Sequence, residues 1–195
     1  MPDEERFAQI VSIGAHDLST PLATVYGFAK TLAKTDLEEP AARYVEMIEA
    51  ASAQLRDLVD ELSMVTRIER GRYSPALTEV DSLDLAREAC AELGERVAVS
   101  GEGAVVQVAA DATSRALSRL AKAASRHGGI DSVTLIVRGP ELAISPLLKS
   151  AAGVVTGEDL RELGAVAAVE HLKAIGVGVT AEDERLLIRF PGYRG

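Results

Sequence analysis

The stretch HDLSTPL, residues 16–22, holds four residues whose types and spacing can act together. His16 supplies an imidazole, a nucleophile and proton carrier near neutral pH. Asp17 follows it, and a carboxylate accepting a hydrogen bond from one ring nitrogen fixes the tautomer and sharpens the other nitrogen. Thr20 lies four residues on, one helical turn along the same face, where its hydroxyl can hold a water molecule. Pro21 has no N–H to give to the carbonyl of Asp17, so the turn after the histidine is loosened. A proline inside a helix costs about 3 kcal/mol, which argues against an accidental one. The plainer accounts are an ordinary exposed histidine and a bend that suits helix packing.

The surrounding pattern decides which way His16 points. Residues 5–34 repeat Phe7, Val11, Gly14, Leu18, Val25, Phe28 and Leu32 in steps of four and three, with Pro21 in the gap. This is a heptad seam, and His16 falls at its f position, facing water. Residues 41–68 repeat the pattern with Tyr44, Ile48, Ala51, Leu55, Leu58, Leu62 and Val65. TDLEEP forms the turn, with Pro40 placed for the first turn of the second helix. A lone hairpin cannot cover both apolar faces, so a dimeric four-helix bundle, and hence a homodimer, is expected.

After Arg70 the composition shifts. Residues 1–70 read as the helical hairpin, GRYSPALTEVDS (71–82) as a linker, and 83–195 as a second domain. There the spacing predicts a helix at 82–93, strands near 96–100 and 104–109, and a helix at 111–126. VTLIVR (133–138) and ELAIS (141–145) form a hairpin, followed by a loop at 146–157. A helix at 157–175 and strands at 177–181 and 185–190 complete it. Interspersed helices and strands with a hairpin indicate a small α/β sandwich, not a doubly wound sheet.

Composition closes off several functions. The 195 residues carry a net charge of −9, and no dense Lys/Arg block appears, which argues against nucleic acid and a polybasic membrane anchor. No apolar run reaches the length of a membrane span, and the N-terminal MPDEERFAQ lacks the apolar core of a signal peptide. Cys90 is the only cysteine, so a cytoplasmic location is the default expectation. His16, His127, His171 and Cys90 show no metal-ligand spacing, and no metal is expected. His127 and His171 read as surface or packing residues and Cys90 as core. Arg119 and Arg126 read as a solvated helix face, with anion binding as the alternative.

AHDLSTPLATVYGFAKTL (15–32) resembles the phosphoacceptor box of sensor histidine kinases, and ELSMVTRIERGRYSPALTEVDSLDLAREA (61–89) is similar to the segment that joins their dimerisation hairpin to the ATP-binding domain. The resemblance implies that His16 is the phosphoacceptor, Asp17 its acid–base partner and Thr20 the residue positioning water for dephosphorylation of a response regulator. Docking is expected on Ser19, Ala23, Tyr26, Gly27 and Lys30. Small side chains at Ala15, Ala23 and Gly27 suit either a close partner helix or packing within the hairpin.

The second half departs from the family pattern. DATSRALSRLAKAASRHGG (111–129) is similar to the asparagine-box helix, yet Arg119 and Ala123 stand at the asparagine positions, and the chain contains no asparagine. Pro146 takes the place of the adenine-binding aspartate. Gly164 is the only glycine of ELGAVAAVEHL (162–172), where a phosphate-binding turn is expected. At most a dozen residues remain for a lid. The two other glycine pairs, Gly101/Gly103 and Gly176/Gly178, read as turns. The expected fold is therefore a hairpin plus a degenerate ATPase-like α/β sandwich. The expected function is a histidine phosphotransferase that relays a phosphoryl group between receiver domains through His16. It uses no cofactor of its own, and the receiver supplies Mg²⁺. The alternatives are a pseudokinase binding module and a receiver phosphatase; an ATP-dependent kinase is set aside.

Overall fold

The computed structural model describes residues 2–35, 37–91, 93 and 97–191, apart from the side chains of residues 2–10, 12–14 and 17. Asp17 is therefore placed by its backbone alone. The chain forms two compact units, residues 1–72 and 73–195.

The first unit is an αα-hairpin of α1 (Pro2–Leu32) and α2 (Ala41–Glu69). The helices do not meet along the heptad seam. In α1, Ala15 and Ala29 are buried and Leu22 is half-buried, at seven-residue intervals. In α2, Val45, Ser52 and Thr66 are buried and Val59 half-buried, again at seven-residue intervals. These two lines face each other. Small residues let the backbones approach closely. The seam residues Leu18, Val25, Phe28, Leu32, Tyr44, Ile48, Leu55 and Leu58 instead remain exposed on the single chain, Phe28 at 68%.

The second unit is a two-layer α/β sandwich. A five-stranded sheet runs in the order β2–β4–β5–β7–β6, from β2 (Val97–Gly103), β4 (Val133–Gly139), β5 (Glu141–Ser145), β7 (Arg185–Arg189) and β6 (Gly178–Glu182). β2 is parallel to β4, and the other pairs are antiparallel. The helices α3 (Ser82–Ala91), α4 (Ala110–Gly128), α5 (Lys149–Val155) and α6 (Leu163–Ala174) share one hydrophobic core with the sheet's inner face. Strand alternation sets that face: Val133, Leu135 and Val137 are buried, whereas Thr134 and Ile136 are half-buried and Arg138 is exposed.

Three expectations need correction. The segment read as linker supplies β1 (Thr78–Asp81), which pairs with β3 (Val105–Val108) in a small antiparallel ribbon. The segment 146–157 is not all loop, because α5 occupies most of it, and the last helix opens at Leu163, not at 157. Gly101 and Gly103 lie in β2, not in a turn. A Cβ on Gly101 would collide with the Val137 carbonyl of the neighbouring strand, and one on Gly103 with the Asp81 carboxylate. These glycines serve close backbone packing.

Candidate functional site

α1 carries His16 on a line distinct from both the seam and the buried line. His16, Ser19, Thr20, Ala23, Gly27 and Lys30 are all exposed, and Tyr26 beside them is half-buried. Their spacing of three and four keeps them on one face. Pro21 sits inside α1 and leaves the Asp17 carbonyl without its usual amide donor. Hydroxyls bond back to the helix around this point. Ser19 Oγ donates to the Ala15 carbonyl at 2.9 Å, and Thr24 Oγ1 donates to the Thr20 carbonyl at 3.1 Å. Such back-bonding favours a bent helix. No described residue bonds the Thr20 hydroxyl, so it is available to water or a partner.

Tyr26 is the anchored member of the line. The Arg56 guanidinium of α2 lies 4.4 Å from its ring centroid, and the Lys30 ammonium lies 5.6 Å from it. Cation–π contacts hold the ring between two positive groups. Arg56 escaped the sequence reading, because nothing local to α2 marks it; the hairpin alone brings it to this face. A Cβ on Gly27 would meet no atom within 4 Å, so nothing in the hairpin itself demands a glycine there.

The positions where the resemblance expects nucleotide-binding groups lie in the second unit. Ala123 is fully buried in the core, at 0% exposure. Arg119 is half-buried on α4, and Pro146 is exposed immediately after β5. Glu162 is the N-cap residue of α6, but its side chain makes no capping hydrogen bond and turns instead to α4. Glu162 Oε2 lies 2.8 Å from His127 Nε2, and Glu162 Oε1 lies 3.3 Å from Arg126 Nη1. These pairs tie the start of α6 to the end of α4. His127 is thus a packing residue with a defined partner, and α4 ends at the left-handed Gly129.

His171 is also a packing residue, but wholly buried and doubly bonded. Tyr73 Oη lies 2.6 Å from its Nδ1, and Thr113 Oγ1 lies 3.2 Å from its Nε2. Burial, with the Arg115 charge adding to it, pushes the imidazole pKa down to about 4. The ring is therefore neutral at pH 7, with one nitrogen donating and the other accepting. Cys90 is half-buried against the core, and burial raises its thiol pKa. Among the described residues no group of three or more His, Cys, Asp or Glu side chains is placed to hold a metal ion.

Residues 8–71 match the His Kinase A (phospho-acceptor) domain family. The matched residues are those of the helical hairpin, and over that stretch the chain is similar to histidine kinases. The chain is 27% identical over 188 residues to the sensor-like histidine kinase SenX3 of Mycobacterium tuberculosis and to that of Mycobacterium bovis. The match covers 93% of the chain and 40% of the relatives, so the chain spans less than half the length of the curated relatives it matches. Two solved structures share its fold. Full-length ShkA in complex with AMPPNP gives a TM-score of 0.67 at 19% identity, covering 94% of this chain and 45% of that one. The Acinetobacter baumannii histidine kinase AdeS gives 0.55 at 13% identity, covering 89% and 94%. Among the described residues no helix is long and apolar enough to cross a membrane.

Proposed function

We propose that this protein is a histidine phosphotransferase, loaded and emptied by receiver domains and independent of ATP. The observation that carries the reading is the contrast between its two units. His16 is exposed on a continuous helix face, whereas Ala123 is sealed in the core and a carboxylate, Glu162, stands at the opening of α6. Glu162, tied to Arg126 and His127, stands where the family pattern expects a glycine-rich phosphate-binding turn. With no asparagine in the chain, the amide oxygen expected for magnesium is missing as well. The residues present do not fit ATP.

In the proposed transfer, the lone pair of a His16 ring nitrogen attacks phosphorus of an aspartyl phosphate on the receiver. The P–N bond forms as the P–O bond to the aspartate breaks, and the carboxylate leaves with the electron pair. The second receiver's aspartate reverses the step. This chain need only present an oriented imidazole; the receiver brings Mg²⁺ and its own charged groups. Asp17 would hold the tautomer. Ser19, Ala23, Tyr26, Gly27 and Lys30 would meet the receiver, with Arg56 steadying Tyr26 from α2.

The exposed seam supports a homodimer. A second copy would cover Leu18, Val25, Phe28, Leu55 and Leu58 and complete a four-helix bundle. A receiver phosphatase is the second reading, favoured by the unbonded Thr20 hydroxyl one turn from His16. Mixing the chain with a ³²P-labelled receiver separates the two. Label moving onto this chain, and lost in His16→Ala, supports the relay. Release of inorganic phosphate that needs Thr20 but not His16 supports the phosphatase. Autophosphorylation from ATP would overturn the reading of the second unit.

A further inference from the structure

In this acidic chain, α4 carries a line of positive charge. Arg115, Arg119, Lys122 and Arg126 recur at steps of four, three and four, which places them on one helical stripe. No acidic residue occurs between Asp111 and Asp131. Arg115, Lys122 and Arg126 are exposed, and Arg119 is half-buried. Arg126 shares Glu162 with His127 while its own side chain stays 66% exposed. Arg115 and Lys122 have no hydrogen bond or ion pair to any described residue. The stripe spans roughly 16 Å, at 1.5 Å of rise per residue. Its opposite face holds Leu117, Leu120, Ala121 and Ala124 in the core, so the line is rigidly mounted.

We propose that the α4 stripe is a docking surface for the acidic face of a folded protein partner, separate from the His16 face. Charge complementarity selects this occupant. Residues 73–195 carry 13 basic and 17 acidic side chains, and four of the 13 stand on this stripe. The net negative charge of the unit disfavours an extended polyanion such as nucleic acid or an anionic membrane. A folded partner with one acidic helix or strand edge need match only the stripe. The segment 110–130 contains no Phe, Tyr or Trp to stack on bases or enter a membrane interface, and its one imidazole, His127, is held by Glu162.

The test uses the full chain, ¹⁵N-labelled, and a helical peptide bearing Glu at i, i+4, i+7 and i+11, with a Gln-substituted control. The Glu peptide is expected to shift α4 amides and to bind more weakly as salt rises. Arg115→Glu with Lys122→Glu is expected to weaken it by about tenfold or more. The milder pair Arg115→Gln with Lys122→Gln, checked by circular dichroism melting, keeps the test open should charge reversal unfold the chain. His16→Ala should bind the peptide unchanged, which separates this surface from the transfer reaction. Equal binding of the Gln control, or an unaffected double variant, would overturn the proposal. So would tighter binding of single-stranded DNA or phosphatidylserine vesicles through the same residues. ATP shifting these amides would overturn both this proposal and the ATP-independent reading.

Discussion

Tyr73 Oη lies 2.6 Å from His171 Nδ1, and the two rings meet edge to face with centroids 5.7 Å apart. The residue that opens the second unit is thereby fastened to its last helix. Thr113 holds the other ring nitrogen, so a chain of hydrogen bonds runs from the start of the unit through α6 to α4. Tyr73→Phe keeps the ring packing but leaves a buried nitrogen without its partner. Its expected cost is about 1–3 kcal/mol, read by urea denaturation against the parent chain.

The same histidine gives the stability a pH dependence. Its folded pKa of about 4 lies below the ordinary value of 6.5, so the unfolded chain takes up the proton first. The contribution is lost progressively as pH falls through 6.5 and is gone only below about 4, where both states are protonated. The loss attributable to this group is roughly 3 kcal/mol, at 1.36 kcal/mol per pKa unit. Comparing the parent with His171→Gln from pH 7.5 to 4 isolates it, since the variant should show a flatter profile over that range.

His16→Gln should remove phosphoryl uptake from a labelled receiver while leaving the melting of the chain unchanged, because His16 is exposed. Arg56→Ala should slow uptake without abolishing it, since Arg56 acts through Tyr26. Single-turnover transfer measured over a range of receiver concentrations distinguishes the two. The Arg56 defect should diminish at saturation, and the His16 defect should not.

Leu18→Glu combined with Phe28→Glu places charge on the uncovered seam, not in the buried line of the hairpin. The double variant is expected to sediment as a monomer where the parent sediments as a dimer. Retention of the dimer would show that the two copies meet elsewhere.

Glu162→Gln should destabilise the second unit by about 1 kcal/mol, because the His127 and Arg126 contacts are only partly screened by solvent. It should not create affinity for ATP, which isothermal titration can check.

The legible parts of the sequence were those with a strong local period. Leu18, Val25 and Leu32 announce a seam and set His16 apart from it. The line along which α1 actually meets α2 is built from Ala15, Ala29 and Ser52, whose small or polar side chains give almost no hydropathy signal. β1 was hidden in TEVD, four residues at the edge of a two-stranded ribbon, and α5 in a seven-residue helix that contains Gly153. The sequence left His171 open between surface and packing, because the Tyr73 partner that decides it lies 98 residues away. The positions of Arg119 and Ala123 were visible as letters. That Ala123 faces the core emerges only once α4 is packed.

The burial of Ala123 also limits what this position can hold. Ala123→Asn would force a larger, polar group into a filled site, with an overpacking penalty of roughly 1–3 kcal/mol before any unmet hydrogen bond is counted. One substitution at this position therefore cannot present a side-chain amide to a ligand without first disturbing α4: the core, and not the surface, sets what residue 123 can be.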